Sequence, residues 1–258
     1  MSILRIHATE AECDIISYKD STMHVFGWPL ESHPTIHINS NSLFNKSGIN
    51  TSNRKGYVAS SSIIDGHLYL ISVQNVYKTE RADLVKIFGN NCINGKVFAD
   101  WFSGSLYCLL GKRLVTFNDI TSYEKELELV IRDGVLIRDT LLDNTKSRNY
   151  DKFMGVNSVL NNDRYQSYID SLINWKELPP INGDSVRSII QFSANEEGVL
   201  DQIAVFRSGG FIFDSEAIRI IKEMPVSIRF FHGKLLRTNY VFPILFKEST
   251  RIKKTSNR

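Results

Sequence analysis

The sequence has few cysteines, no long apolar run and little net charge, and each of these absences excludes a class of protein. Three cysteines stand far apart among 258 residues, without a CxxC pair, which argues against a disulfide framework and against a cysteine-rich metal site. Free thiols of this kind suit a reducing compartment. No window approaches the roughly 18 apolar residues of a membrane span, and the first residues include acids where a signal peptide is apolar. The sequence therefore predicts a cytoplasmic protein without a membrane anchor.

The formal net charge of +3 arises at the C-terminal end. Residues 251–258 include four cations and no acid, so the rest of the chain is slightly acidic. A basic folded domain would favour a nucleic-acid partner. Because the chain before residue 251 is not basic, no nucleic-acid partner is expected. Chain ends usually fray, so we expect residues 248–258 to form a disordered basic tail.

The sequence also lacks the patterns that bind nucleotides and metals. Its 15 glycines form neither a GxGxxG nor a GxxxxGK[ST] fingerprint. His33 and His37 are four residues apart, but Pro34 between them argues against a helix that presents both to a metal. No motif supports a paired histidine and cysteine nucleophile. We therefore expect no cofactor and no metal site.

Strand signals dominate up to residue 145. Asp65-Gly66 and Asp133-Gly134 each separate two runs rich in β-branched and apolar residues, the pattern of a two-residue hairpin whose central positions both need a positive φ. Residues 82–88 place apolar side chains at helical spacing and predict one short helix. The sequence thus predicts a β-rich domain over residues 1–145.

Residues 98–104 are unusually dense in aromatic side chains and contain the best candidate for a catalytic group. Asp100 lies among these aromatics, where loss of solvent would raise its pKa into the range useful for acid–base catalysis. The alternative is a structural carboxylate that caps a turn or accepts a hydrogen bond from Trp101 or Tyr107, the usual situation of a buried polar group. Asp100, Trp101, Phe102 and Tyr107 form the candidate functional cluster of this domain, with no catalytic residue assigned.

The chain changes character after residue 145. A polar stretch comes first, and apolar residues between positions 165 and 173 then recur at three- and four-residue spacing, which predicts one amphipathic helix. Pro179 and Pro180 follow, and the residue before a proline is disfavoured in a helix. We interpret residues 146–183 as a helical connector, with the domain boundary at the two prolines.

Residues 184–247 show the pattern of a small α+β module. Two strands are joined by a turn at Gly198, where a positive φ is expected. Asp214 is predicted as the N-cap of a helix that Pro225 ends. The last strand contains Pro243, which lacks an N–H and therefore belongs at a sheet edge or strand end. The complete chain is accordingly expected to be α+β, with a β-rich N-terminal domain and this smaller module.

Several short motifs follow one another in the C-terminal module. They are Glu197-Gly198, Arg207-Ser208-Gly209, Phe213-Asp214, Glu216-Ala217, Met224-Pro225, Gly233-Lys234, Pro243 and Phe246. Their order resembles the C-terminal domain of the TonB family and covers roughly a quarter of the chain. One departure is the absence of the tryptophan that usually follows Met-Pro in that family, since Val226 stands here.

The resemblance implies a fold and a mode of binding. In TonB proteins an inner-membrane anchor and a proline-rich spacer precede a terminal domain that pairs with a strand of an outer-membrane receptor. The sequence shows neither anchor nor spacer, so energy transduction is not expected. Strand pairing needs only an exposed sheet edge. The candidate binding edge is the last strand, with Tyr240, Phe242 and Pro243.

The N-terminal part is similar to a family of bacterial hypothetical proteins without an assigned activity. The similarity rests on residues 54–57, 65–70 and 98–104. The function expected for the chain is that of a non-enzymatic bacterial protein that binds another protein, as an adaptor or immunity protein, and homo-oligomer formation is left open. The alternative is an enzyme of unknown class with a site around Asp100 and Trp101.

Overall fold

The chain has a mixed fold, rich in β-strand and with few helices. It divides into two compact units, Met1–Thr145 and Lys146–Arg258. No helix in the described part of the chain is long and apolar enough to cross a membrane. The structure, a computed structural model, describes residues 13–37, 40–45, 53–117, 120–148 and 162–256.

The first unit is built mainly of strands. Its described residues form β1 (Asp14–Tyr18), β2 (Ser21–Phe26), β3 (Tyr57–Ile64), β4 (His67–Asn75), β5 (Cys92–Ile93), β6 (Lys96–Phe98), β7 (Gly104–Phe117), β8 (Ile120–Arg132) and β9 (Val135–Asp143). Two short helices, α1 (Ser40–Leu43) and α2 (Leu84–Phe88), and two 3-10 turns, Pro29–Ser32 and Gly89–Asn91, lie between them.

Seven of these strands pair in a closed ring. The order is β3-β1-β2-β7-β8-β9-β4, and β4 pairs again with β3. β1 runs parallel to β3, whereas the other pairs of the ring are antiparallel. β6 and β5 extend the sheet outward from β4. Closure removes the free edges that an open sheet would expose.

Two apolar clusters fill the first unit. One collects buried side chains from strands around the ring, as the alternation of inward and outward residues in a small barrel requires, and includes Ile16, Val25, Leu68, Leu106, Leu129 and Ile131. The other gathers side chains of β3, β4 and β6 with those of α2, and includes Tyr57, Leu70, Val73, Leu84, Phe88 and Val97.

Both predicted hairpins are confirmed. Asp65-Gly66 joins β3 to β4, and Asp133-Gly134 joins β8 to β9. The φ angles are 49° and 76° in the first turn and 47° and 74° in the second. A positive φ at both central residues defines the type I′ turn, whose twist matches that of the flanking strands. The predicted short helix is present as α2, and the Asp83 side chain caps it.

The second unit contains a three-stranded sheet in the order β11-β10-β14. Its elements are α3 (Asn162–Leu172), a 3-10 turn (Trp175–Glu177), β10 (Ser185–Ala194), β11 (Leu200–Arg207), α4 (Phe211–Glu223), β12 (Phe230–Phe231), β13 (Lys234–Leu235), β14 (Tyr240–Lys247) and α5 (Glu248–Ser256). One apolar core joins the sheet to α4, and Ile190, Ala217, Ile220 and Phe246 are completely buried in it.

The predicted connector is part of the second unit. Its residues Ile169, Ile173, Trp175 and Leu178 lie in the same core as the sheet. The division between the units falls after Thr145, the predicted end of the β-rich domain, and not at the two prolines after the connector. The apolar face of α3 packs against the sheet and is buried there. α3 is therefore part of the second unit and not a separate connector.

Asp214 does not cap α4 as predicted. The helix begins earlier, at Phe211, with Gly210 as its N-cap. Asp214 instead fastens the loop before the helix: its carboxylate accepts bonds from Ser188 Oγ at 2.6 Å and from Gly209 N at 2.9 Å, and also from Ser208 Oγ. Burial alone would raise the pKa of Asp214, but these hydrogen bonds favour the ionised form and lower it.

The expected disordered tail is also corrected, because residues 248–256 form α5. Glu248 begins this helix and accepts a hydrogen bond from Ile181 N at 2.9 Å. The same carboxylate binds Arg251 one turn later, with Nη2 at 2.6 Å from Oε1. An acid at the start of a helix and an i,i+3 ion pair both stabilise helical structure, and these local contacts fix the start of α5.

Candidate functional site

The candidate cluster of the first unit does not come together as one site. The side chain of Asp100 is exposed, not buried among aromatic rings as expected. Neither predicted donor binds it, since Trp101 Nε1 donates to the Pro29 carbonyl at 2.8 Å and the Tyr107 hydroxyl donates to Glu128 Oε1 at 3.3 Å. Asp100 therefore lacks the desolvated environment that acid–base catalysis at this position would require.

The aromatic members of the cluster lie in different surroundings. Trp101 stacks on Phe88 with ring centroids 5.8 Å apart and contacts the His33 ring at 4.5 Å. Phe102 is buried with the side chains that fill the ring of strands. Tyr107 belongs to β7, where it contacts Glu128 of the neighbouring strand β8. These contacts give each aromatic side chain a packing role.

The segment 98–104 has a structural role where the ring of strands closes. Ala99 N donates to the Leu68 carbonyl of β4 at 2.9 Å, and Gly134 N donates to the Phe102 carbonyl at 3.0 Å. Gly134 in turn accepts from Leu68 N at 2.7 Å. The backbone of the segment therefore holds β4 against the β8–β9 turn.

A buried ion pair in the first unit was missed by sequence reasoning. Lys55 Nζ lies 2.7 Å from Asp14 Oδ1, and their side chains are only 12% and 4% exposed. The same oxygen accepts from Ala59 N at 3.0 Å, whereas Oδ2 is buried without a hydrogen-bond partner among the described residues. Burial raises the pKa of the Asp14 carboxyl, although the charge of Lys55 acts in the opposite direction.

Aromatic rings surround the Lys55 ammonium group. Nζ lies 4.8 Å from the centre of the Tyr57 ring and 5.5 Å from that of Trp28. The Tyr57 hydroxyl donates to Glu31 Oε1, and burial together with this acidic neighbour raises the pKa of Tyr57. The hydroxyl therefore stays protonated and acts as a donor. The arrangement links the starts of β1 and β3 and holds them in register.

The histidines offer no metal centre in the described part of the chain. His33 Nδ1 accepts from Thr35 N at 3.2 Å and from Ile36 N at 3.0 Å, so this nitrogen already serves a turn. Burial lowers the pKa of His33. No group of three or more His, Cys, Asp or Glu side chains among the described residues is placed to hold a metal ion.

β14, the predicted binding strand, is an edge of the three-stranded sheet, and two of its three candidate side chains pack inward. Tyr240 stacks on Phe192 with ring centroids 5.3 Å apart, and its hydroxyl donates to the Ser227 carbonyl at 2.8 Å. Phe242 meets the same Phe192 ring edge-on at 6.3 Å. Pro243 is exposed.

Part of the β14 edge is already occupied. Gln166 Nε2 of α3 donates to the Leu245 carbonyl at 3.0 Å. Pro243, in the middle of the strand, has no N–H to offer to an added strand. A strand added to β14 would therefore lack a hydrogen-bond donor at Pro243, and α3 lies beside the C-terminal half of β14.

β11 forms the opposite edge and pairs only with β10 among the described strands. β11 is eight residues long. Between Asp201, near its start, and Arg207, at its end, all of its residues are uncharged. Natural proteins usually protect a free edge with charges, with a proline or by covering it. Bulges at two positions in the pairing with β10 are the protection present here.

Apolar side chains are exposed along this edge and just after it. Val205 is 39% and Phe206 64% exposed, and at the start of α4 Phe211 is 86% and Ile212 48% exposed. Single exposed apolar residues are ordinary on a protein surface, but a run of them beside an unpaired edge is typical of an interaction surface. We call Val205, Phe206, Phe211 and Ile212 the β11 apolar surface.

No protein-family model, curated protein or solved structure matches this chain. The similarity of the C-terminal module to the TonB family therefore stays a prediction from the sequence. The assignment of function rests on the geometry of the free β11 edge and the apolar side chains around it.

Proposed function

We propose that this chain is a non-enzymatic protein that binds another protein by accepting an extended segment of it as an additional strand against β11. The observation that carries the proposal is the β11 edge, eight residues long, which no other described strand pairs and which has the β11 apolar surface beside it. Backbone N–H and C=O groups along such an edge supply much of the affinity, and nearby pockets and exposed side chains supply selectivity.

The resemblance to the TonB C-terminal domain supports the same mode of binding, since that family pairs its terminal domain with a strand of another protein. The structure favours β11 over the predicted β14 because α3 and Pro243 interrupt the β14 edge. An adaptor or immunity protein of the cytoplasm is the kind of protein we propose. The exposed Asp100 and the bond of the Tyr107 hydroxyl to Glu128 give no support to an enzymatic site around Asp100 and Trp101.

Selection from a library tests the proposal. Phage that display random peptides long enough to span β11 are selected on the purified full-length chain. Hydrogen exchange of the chain is then measured with and without a selected peptide. We expect slower exchange across Leu200–Arg207, because an added strand bonds to the free backbone groups of β11. Protection confined to β14, or failure of the library to yield any binder, would contradict the proposal.

Matched substitutions identify the edge. Val205→Lys and Phe206→Lys place a charge on the β11 apolar surface and should weaken peptide binding at least about tenfold. Val241→Lys makes the same change at an exposed valine of β14, 51% accessible, and should leave binding unchanged. Thermal unfolding of all three variants checks that each folds. If Phe206→Lys instead dissolves a dimer of the chain, the occupant of the edge is a second copy.

A further inference from the structure

Three cations share one end of the outer sheet face, the face opposite to α4. On β10 and β11 the residues facing α4 include the buried Ile190 and its cross-strand neighbour Val205. Arg187 is three residues from Ile190 and therefore lies on the outer face, and Arg207 lies opposite the outward-facing Ile189, across a β-bulge. Lys247 lies on the same face, because it pairs with Ser185, two residues from Arg187.

The register places the three cations close together. Arg207 is opposite Ile189, and Arg187 is two residues along β10 from Ile189, so the two arginines are diagonal neighbours across the strands. Arg187 pairs with Leu245, which makes Lys247 its diagonal neighbour on β14. Diagonal neighbours on one face lie about 7–8 Å apart, within reach of long side chains. We call these three residues the basic end of the sheet.

No described residue neutralises the basic end. Arg187, Arg207 and Lys247 are exposed, and none of them forms an ion pair among the described residues. The nearest acid along β10 is Asp184, which lies before the strand begins. At the other end of the same face, by contrast, Asp201 is already paired with Arg237, with Nη2 at 2.5 Å from Oδ2.

The rest of the outer face is uncharged. Ile189, Gln191, Ala204, Val241 and Pro243 separate the basic end from the Asp201–Arg237 pair. An incoming strand on β11 therefore lies beside uncharged residues along the middle of β11 and meets positive charge only at the end near Arg207. The cations are unpaired at one end of the face, and the charges at the other end neutralise each other. The two ends of the β11 edge therefore differ in electrostatic potential.

We propose that the segment that binds β11 is acidic at the end that lies beside Arg207, and that Arg207 and Arg187 bind its carboxylates. This inference rests on the proposed function and adds the chemistry and the orientation of the partner. Arginine binds carboxylates through two parallel hydrogen bonds, so it fixes orientation as well as adding attraction. Lys247 contributes through its charge alone.

The selected peptides provide the first test. We expect the pool that binds the full-length chain to be enriched in Asp and Glu at one end, relative to the starting library. A binding peptide is then synthesised with its acidic end intact, with Asp and Glu replaced by Asn and Gln, and with lysines in their place. Fluorescence anisotropy should show about a tenfold loss of affinity for the amide version at low salt and a larger loss for the lysine version.

Charge reversal in the protein gives the matched test. Arg207→Glu and Arg187→Glu should each weaken the acidic peptide several-fold and strengthen the lysine peptide. Lys222→Glu, at an exposed lysine of α4, is the control that changes net charge equally and should have no such effect. Binding of the acidic peptide should also weaken between about 50 mM and about 200 mM salt, since exposed charges are screened over this range.

The outcomes separate this inference from the proposed function. If the acidic and amide peptides bind equally well and still protect β11 from exchange, the charge preference is overturned and the strand-pairing function stands. If no peptide protects β11, the proposed function itself fails. If a single-stranded oligonucleotide displaces the acidic peptide at about 150 mM salt, the basic end binds phosphates and the assignment to an acidic protein segment is overturned.

Discussion

Lys55 Nζ lies 2.7 Å from Asp14 Oδ1 and fastens the start of β1 to the start of β3, its parallel neighbour in the ring. Both side chains are largely withdrawn from water, and one carboxylate oxygen has no partner among the described residues. A buried pair of this kind adds little net stability, but the loss of one partner is costly because the other charge stays buried.

The first prediction concerns the loss of Lys55. Lys55→Met should lower the free energy of unfolding by about 3 kcal/mol, because it leaves the Asp14 carboxylate buried without its counter-ion. Adding Asp14→Asn should recover about 1–2 kcal/mol, since the amide is neutral and its oxygen still accepts from Ala59 N. Urea unfolding of the single and double variants measures both. A double variant less stable than Lys55→Met alone would contradict the prediction.

The second prediction concerns pH. The pKa of Asp14 is raised above its ordinary value of 3.8 in the folded chain. The folded chain therefore holds this proton more tightly than the unfolded chain, and the resulting stabilisation is complete below pH 3.8 and is lost as the pH rises through the folded-state pKa.

Asp14→Asn removes this titration. We expect the variant to gain stability relative to the parent as the pH rises above about 3.8, until Asp14 is fully ionised and the difference becomes constant. Urea unfolding of the two proteins, measured side by side over this range, provides the comparison. If the variant instead loses stability relative to the parent as the pH rises, the charge of Lys55 has a larger effect on the pKa of Asp14 than burial has.

The third prediction compares two glycines at equivalent turn positions. Gly66 and Gly134 have φ angles of 76° and 74°. A Cβ on Gly66 would meet nothing within 4 Å, whereas one on Gly134 would lie 2.8 Å from the Ala99 carbonyl oxygen and 2.7 Å from the Phe98 ring. The two positions therefore share the conformational requirement and differ in available space.

Gly66→Ala should cost about 1 kcal/mol, from the positive φ alone. Gly134→Ala should cost about 1–3 kcal/mol more, because the added methyl group collides with the segment that closes the ring. Chemical denaturation of both variants gives the two values. Equal losses of stability in the two variants would show that segment 98–104 shifts readily to make room for the added methyl group.

The fourth prediction concerns α5. Hydrogen bonds from Arg251 and from Ile181 N lower the pKa of Glu248 to about 2. The attachment of α5 through this carboxylate is therefore complete above pH 4.5 and is lost as the pH falls through about 2. Glu248→Gln should loosen the helix at neutral pH, with faster hydrogen exchange over residues 248–256 and faster tryptic cleavage after Lys253.

Glu177→Gln is the matched control for this change. Glu177 is exposed and its side chain forms no hydrogen bond or ion pair within the described residues, so its substitution should leave both rates unchanged. Equal rates in parent and Glu248→Gln would show that packing, and not the carboxylate, holds α5.

The features that the sequence predicted correctly are those encoded by neighbouring residues. The two Asp-Gly turns and the helix capped by Asp83 depend on local backbone chemistry, which a few adjacent residues determine. The predicted start of α4 was wrong because of a contact with a distant residue. Asp214 is a residue type that often caps helices, but its carboxylate accepts a hydrogen bond from Ser188, on a strand many residues earlier in the chain.

The candidate site was harder to predict because it depends on long-range pairing. Nothing local to Asp14 or Lys55 indicates that they meet, since 41 residues separate them in the chain. The exposure of Asp100 likewise depends on how segment 98–104 meets β4 and the β8–β9 turn. The availability of β11 depends on which strand α3 lies beside. Each of these follows from the topology and not from a local motif.

The closed ring also has a consequence for the way the protein is made. β9 is the last of the ring strands to leave the ribosome, and β4, its neighbour across the closure, is synthesised much earlier. Until Val135 emerges, the nascent chain therefore has strands without their final neighbours. The ring closes only after its last hairpin is synthesised, and until then the unfinished chain has unpaired strand edges of the kind that favour aggregation.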